Sequence, residues 1–178
     1  MKRVYRTFLF LCLFGLFSSF SMHNPSAMSE AYISQYRDMA VIEMHRSGIP
    51  ASITLAQALV ESRYGTSNLA VQANNHFGIK CKSYWKGFTY YHKDDDYKNG
   101  KLIKSCFRAY DSVIDSYVDH SNFLMKTPWY KELFSYEKTD YLNWAYGLKK
   151  CGYATNPKYA AMLIKKIEDF QLYQYDSY

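Results

Sequence analysis

The stretch ITLAQALVESRYGTSNLA, Ile53 to Ala70, decides the fold. Ile53, Ala56, Leu59 and Val60 recur at helical spacing, so the segment predicts a helix that buries one face. Pro50 breaks the chain ahead of it, Ser52 is placed to cap it, and Gly65 stops it one turn after Glu61. A carboxylate therefore stands where the apolar stripe ends. A carboxyl group part-buried against apolar neighbours has its charged form disfavoured and keeps its proton to higher pH. Glycosidic bond cleavage needs such a general acid, because the departing sugar oxygen must be protonated. The spacing also fits a solvated last-turn glutamate paired with Arg63 or a distant lysine.

Upstream, Ala31, Ile33, Tyr36, Ala40 and Met44 predict a helix from Ser29 that Gly48 ends. Downstream, residues 66–80 are polar and turn-rich and read as irregular structure wrapping the helix end. The run from Tyr84 to Tyr110 is rich in aromatic and β-branched residues and holds Asn99-Gly100, a strong hairpin turn signal. It predicts a small antiparallel sheet over about Lys86 to Arg108. Ser112, with Asp115 three residues on, caps a further helix through Val113, Tyr117 and Leu124. A short helix from Asp140 to Lys150 follows. In the last helix Asn156 is the expected cap, Pro157 takes the first turn, and Ala160, Leu163, Ile164 and Ile167 form the stripe. The pattern is one mainly helical α+β domain with an inserted β-hairpin.

The chain has 178 residues, enough for one domain with a real core. Lys2, Arg3 and Arg6 precede an apolar run from Phe8 to Phe20, followed by small residues. Residues 1–27 therefore read as an export signal, with an uncleaved anchor as the alternative, and residues 28–178 as the domain. No other segment reads as a membrane span. The formal charge of +6 falls to +3 without residues 1–27, which hold those three cations and no acid. Such mild basicity suits an anionic polymer, and no Lys/Arg block argues for nucleic acid. The 33 aromatic residues (19 Tyr, 11 Phe, 3 Trp) fill a core and also offer faces for sugar rings. Cys81 and Cys106 bracket the hairpin and are the expected disulfide pair, with buried free thiols as the alternative. His76, His92 and His120 are scattered and no zinc-type spacing occurs, so neither metal nor cofactor is expected.

Five motifs then stand in order: AQALVESRYGTSNLA, NNHFGIKC, W-x-G at Trp85 to Gly87, CFRAYDS at Cys106 to Ser112, and GYATNPKYA at Gly152 to Ala160. Together they resemble the glucosaminidase domain of bacterial cell-wall hydrolases, the flagellar-muramidase-like and autolysin-type family, over about Tyr32 to Phe170. The resemblance implies a lysozyme-like α+β fold and action on the glycan strands of peptidoglycan in the cell envelope. It makes Glu61 the catalytic acid. It places Asn75, Phe77 and Gly78 at the cleft and Tyr153 on the wall facing the acid, with Trp85 and Tyr130 as looser sugar contacts. The departure is the second carboxylate. Family members often carry a glutamate shortly before the hairpin turn, where this chain has Asp94-Asp95-Asp96. Asp96 matches the place best and Asp95 next, and assistance by the substrate's own N-acetyl group is the other route. A lytic transglycosylase and a non-catalytic glycan-binding module are the rival readings.

Overall fold

The computed structural model describes residues 25–178 except Asn99, and the side chains of residues 94–96 and 98 also lie outside the described set. The expected export signal, residues 1–27, lies outside it apart from Pro25–Ala27, which open the first helix.

The helix that decided the reading is α2, Ala51–Glu61, and it runs through the middle of the fold. It packs on α1 (Pro25–Ser47), on α6 (Tyr159–Asp169) and on a C-terminal 3-10 segment, Leu172–Ser177. Every residue from Ala51 to Leu59 is buried, so the expectation of a single apolar face is corrected: this helix is enclosed all round. Of its polar residues, Ser52 and Gln57 meet distant partners, whereas the Thr54 hydroxyl has none among the described residues. Ser52 is not the cap, since Pro50 occupies that position. Instead the Ser52 amide (2.8 Å) and hydroxyl (2.6 Å) both donate to the Asp176 carboxylate. Asp176 thus supplies, from 124 residues away, the negative group that a helix start favours.

Residues 66–80 are not wholly irregular. Ser67 accepts a hydrogen bond from Ala70 N and starts a short helix α3, Asn68–Ala73. Only Ala70 and Ala73 of it are buried, too few apolar positions to register as a helical stripe. The hairpin pairs β1 (Thr89–Lys98) with β2 (Lys101–Arg108), and its turn falls where Asn99-Gly100 was expected. Its register shifts between Lys93 and Tyr97, as a β-bulge does.

α4, Val113–Lys126, starts with the expected capping box of Ser112 and Asp115. A 3-10 segment, Pro128–Ser135, then leads to α5, Tyr141–Lys150, capped by Asp140. The last helix starts two residues later than Pro157 predicts. Asn156 bonds to Lys158 N in a local turn and does not cap it. Ile53, Leu55, Leu59, Leu124, Trp144, Leu148 and Leu163 are among the residues that close one core shared by these helices. Among the described residues no helix is long and apolar enough to cross a membrane.

Candidate active site

The chain leaves α2 abruptly, and that departure fixes Glu61. Arg63 (φ 51°), Tyr64 (φ 61°) and Gly65 (φ 77°) follow in succession with left-handed backbones. Each such non-glycine residue costs roughly 1–2 kcal/mol, so the turn must be held from outside. Ser62 holds it. Its buried hydroxyl donates to Ala58 O (2.5 Å) and accepts from Gly65 N (2.7 Å), while its carbonyl accepts from Ser67 N (2.8 Å). At Gly65 a Cβ would lie 3.1 Å from the Tyr32 ring, so this position needs glycine for space as well as for φ. The E-S-x-x-G spacing is therefore a mechanical unit: an acid on the last helical turn, a serine that ties the exit, and a glycine that permits it.

Glu61 projects into a groove of about 850 Å³. One part of the lining is Phe77 and Gly78, another is Tyr130 and Tyr153, and the segments 79–84 and 126–130 form its sides. The Tyr159 hydroxyl donates to Glu61 Oε1 (2.9 Å) and accepts from Gln57 Nε2 (3.0 Å). Gln57 lies one helical turn before Glu61, so Gln57, Tyr159 and Glu61 form a chain anchored in the core. Burial, first of all, then the neighbouring Tyr153 and Glu61, hold the Tyr159 phenol well above its ordinary pKa. It stays protonated and remains a donor to Glu61 Oε1. Tyr153 stacks on Tyr159 with ring centres 5.7 Å apart, and burial followed by the Glu61 charge raises its phenol too. Burial likewise pushes Tyr130 up to about 12.

Phe77, Gly78, Tyr130 and Tyr153 thus come together with Glu61, whereas Asn75 and Trp85 do not line the groove. The buried Asn75 amide donates to Ile79 O (3.1 Å) and Arg108 O (2.8 Å), and its oxygen accepts from Phe77 N and Ile79 N. All its capacity goes into shaping the loop that presents Phe77-Gly78. Trp85 lies over the Arg108 guanidinium, 4.7 Å from its ring centre, and donates from Nε1 to Phe88 O. A Cβ on Gly87 would come within 2.4 Å of the Trp85 ring, which is the physical meaning of W-x-G. Arg108 itself is buried and paired with Asp119 at 2.8 Å. A disulfide joins Cys81 and Cys106, with Cα atoms 5.3 Å apart, and fastens the base of the hairpin beside the groove. The side chains of Asp95 and Asp96 lie outside the described residues. Among the described residues no three His, Cys, Asp or Glu side chains gather into a metal-ligand set.

Sequence reasoning passed over Tyr159, although it stands inside the GYATNPKYA run. It also passed over Tyr84 and Trp129, exposed rings on the groove's sides. Their signal was only aromatic abundance, which does not distinguish a lip from a core.

The whole arrangement has close structural counterparts. The fold superposes on a peptidoglycan hydrolase from Sphingomonas sp. A1 with a TM-score of 0.69 and 28% identity, covering 82% of this chain and 92% of that one. It also superposes on the catalytic domain of the autolysin Auto from Listeria monocytogenes with a TM-score of 0.70 and 27% identity, covering 83% of this chain and 87% of that one. In sequence the chain is 34% identical over 152 residues to the exo-glucosaminidase LytG of Bacillus subtilis (strain 168), covering 83% of this chain and 53% of LytG. It is 30% identical over 149 residues to the peptidoglycan hydrolase FlgJ of Escherichia coli (strain K12), covering 80% of this chain and 47% of FlgJ. The chain thus spans about half the length of these curated relatives. Residues 37–172 match the family model described as mannosyl-glycoprotein endo-beta-N-acetylglucosaminidase, and with its lysozyme-like α+β fold the chain belongs to this glucosaminidase family of glycoside hydrolases.

Proposed function

We propose that the chain is an exported peptidoglycan hydrolase that cleaves the β-1,4 bond between N-acetylglucosamine and N-acetylmuramic acid, with Glu61 as general acid. The observation that carries this is Glu61 itself: it ends a buried helix, faces an aromatic-sided groove, and takes a hydrogen bond from Tyr159. Glu61 delivers its proton to the glycosidic oxygen as the C1–O bond breaks. Water then adds to C1 and gives up a proton, so the products are two sugars with one new reducing end. As Glu61 becomes a carboxylate, Tyr159 stabilises the charge that forms. Asp96 is assigned to assist from the hairpin, with Asp95 second and the substrate's N-acetyl group as the other route. The relatives named peptidoglycan hydrolase and exo-glucosaminidase support this choice of substrate. The basic and apolar start of the chain supports export to the envelope.

The test is digestion of purified peptidoglycan by wild type and Glu61→Gln, with mass spectrometry of the released fragments. Reducing-end products from wild type and none from the variant are expected. Anhydromuramic ends would assign the chain to lytic transglycosylation, and binding without release would make it a glycan-binding module. An unchanged rate in Glu61→Gln removes the glutamate from the mechanism.

A further inference from the structure

The groove carries a charge pattern that cleavage of a neutral sugar backbone does not require. Among its described lining residues Glu61 is the acid, and Lys80, Lys82 and Lys126 are the cations. They come from two separate segments, the strand-like approach to the hairpin and the end of α4. Lys126 also suits the negative end of its helix, but that accounts for neither Lys80 nor Lys82, which precede the hairpin. Lys82 and Lys126 are exposed, and neither forms an ion pair with another described residue. Beside them stand Tyr84, 65% exposed, and Trp129, 67% exposed. Rings left this open beside a groove are stacking platforms for sugar faces. The aromatic lips therefore serve the glycan, and Lys82 and Lys126 are left over for something anionic attached to it.

In peptidoglycan the anionic groups are carboxylates on the muramyl substituent: those of the stem peptide, or the lactyl carboxylate once the peptide is removed. We propose that the groove selects for these carboxylates, with Lys82 and Lys126 as their counterions; this rests on the reading of the site as a peptidoglycan hydrolase. The lysines hold the substituent while Tyr84 and Trp129 hold the rings, and together they set which segment of a strand is presented to Glu61. Such selection acts through substrate binding, so it falls on KM and is weakened by salt.

The experiment compares soluble glycan oligomers in three forms: peptide-bearing, peptide-bearing with carboxylates converted to amides by carbodiimide coupling, and stripped of peptide by an amidase. For wild type the ratio of kcat/KM on native over amidated oligomers exceeds one. In the double variant Lys82→Gln/Lys126→Gln that ratio falls, by roughly two- to thirtyfold if each exposed pair has ordinary surface strength. A loss confined to peptide-bearing oligomers assigns the lysines to stem-peptide carboxylates, and one confined to stripped oligomers assigns them to the lactyl group. A wild-type ratio of one, or a ratio unchanged in the double variant, together with no loss in that variant on stripped oligomers, overturns the proposal while leaving hydrolysis intact. Failure of wild type to cleave any of the three forms instead overturns the hydrolase reading on which it rests.

Discussion

Replacing Tyr159 by phenylalanine isolates what the hydroxyl does for the acid. The ring keeps its stacking on Tyr153, while the donor to Glu61 Oε1 at 2.9 Å and the acceptor for Gln57 Nε2 at 3.0 Å both disappear. A hydrogen bond to a charged group contributes about 1.5–3 kcal/mol, and under the general-acid role proposed for Glu61 its carboxylate forms as the proton is given up. The loss therefore falls on the transition state and lowers kcat by about 13- to 160-fold, with KM nearly unchanged. Stability also drops, by about 1–3 kcal/mol, because Gln57 Nε2 is left without its acceptor beside an Oε1 that already has no partner. Gln57→Leu separates the two effects. It removes both unsatisfied groups and leaves Tyr159 facing Glu61, so it should restore stability with a smaller loss of kcat. The assay is fragment release from purified peptidoglycan, run alongside thermal melts of each variant. A Tyr159→Phe enzyme with wild-type kcat and a native melt would refute the assignment of Tyr159 to the acid.

Three further outcomes follow from the packing around the groove. Opening the Cys81–Cys106 bridge, 25 residues apart in sequence, should cost about 3.5 kcal/mol by the loop-entropy relation, read as a lower melting temperature under reductant that Cys106→Ala no longer shows. Ser62→Ala removes the hydroxyl that ties the left-handed exit of α2; chemical denaturation should register a loss of about 2–3 kcal/mol, and kcat should fall because Glu61 is released from its position. The third concerns acid. Burial lowers His76 to about 4 and His120 to about 3. Both stay neutral in the fold but take up a proton near pH 6.5 when unfolded, so their contribution is complete above about 6.5 and is lost as pH falls towards 4 and 3. Neither ring nitrogen of His120 has a hydrogen-bond partner among the described residues, and the ring stacks on Phe77 at 4.0 Å. His120→Phe should therefore keep its stability at pH 7 and flatten the decline between pH 6 and 4 by about 1.4 kcal/mol per pH unit; an unaltered slope in denaturation curves would count against this.

What the sequence made legible was local chemistry, and what it hid was long-range satisfaction. The Ser112–Asp115 capping box and the turn between β1 and β2 each depend on residues within three or four positions, and each is found where its signal lies. α2 is different. Its period suggests one buried face because Thr54 and Gln57 look like solvent-facing residues and Ser52 like a cap, and no local pattern reveals that Asp176 receives Ser52 or that Tyr159 receives Gln57. The same blindness affects the site. Glu61 could be placed at a helix end from spacing, but its donor lies 98 residues downstream and is aimed by the packing of α6 on α2. Ordered motifs carried part of this information without its mechanism: they contained Asn75, Trp85 and Gly87 alongside Phe77 and Tyr153, although the first three shape loops and the last two face the groove. Motif residues are thus a mixture of those that touch a substrate and those that hold such residues in place. Only the direction of each side chain separates them, and that direction is set by partners the local sequence does not contain.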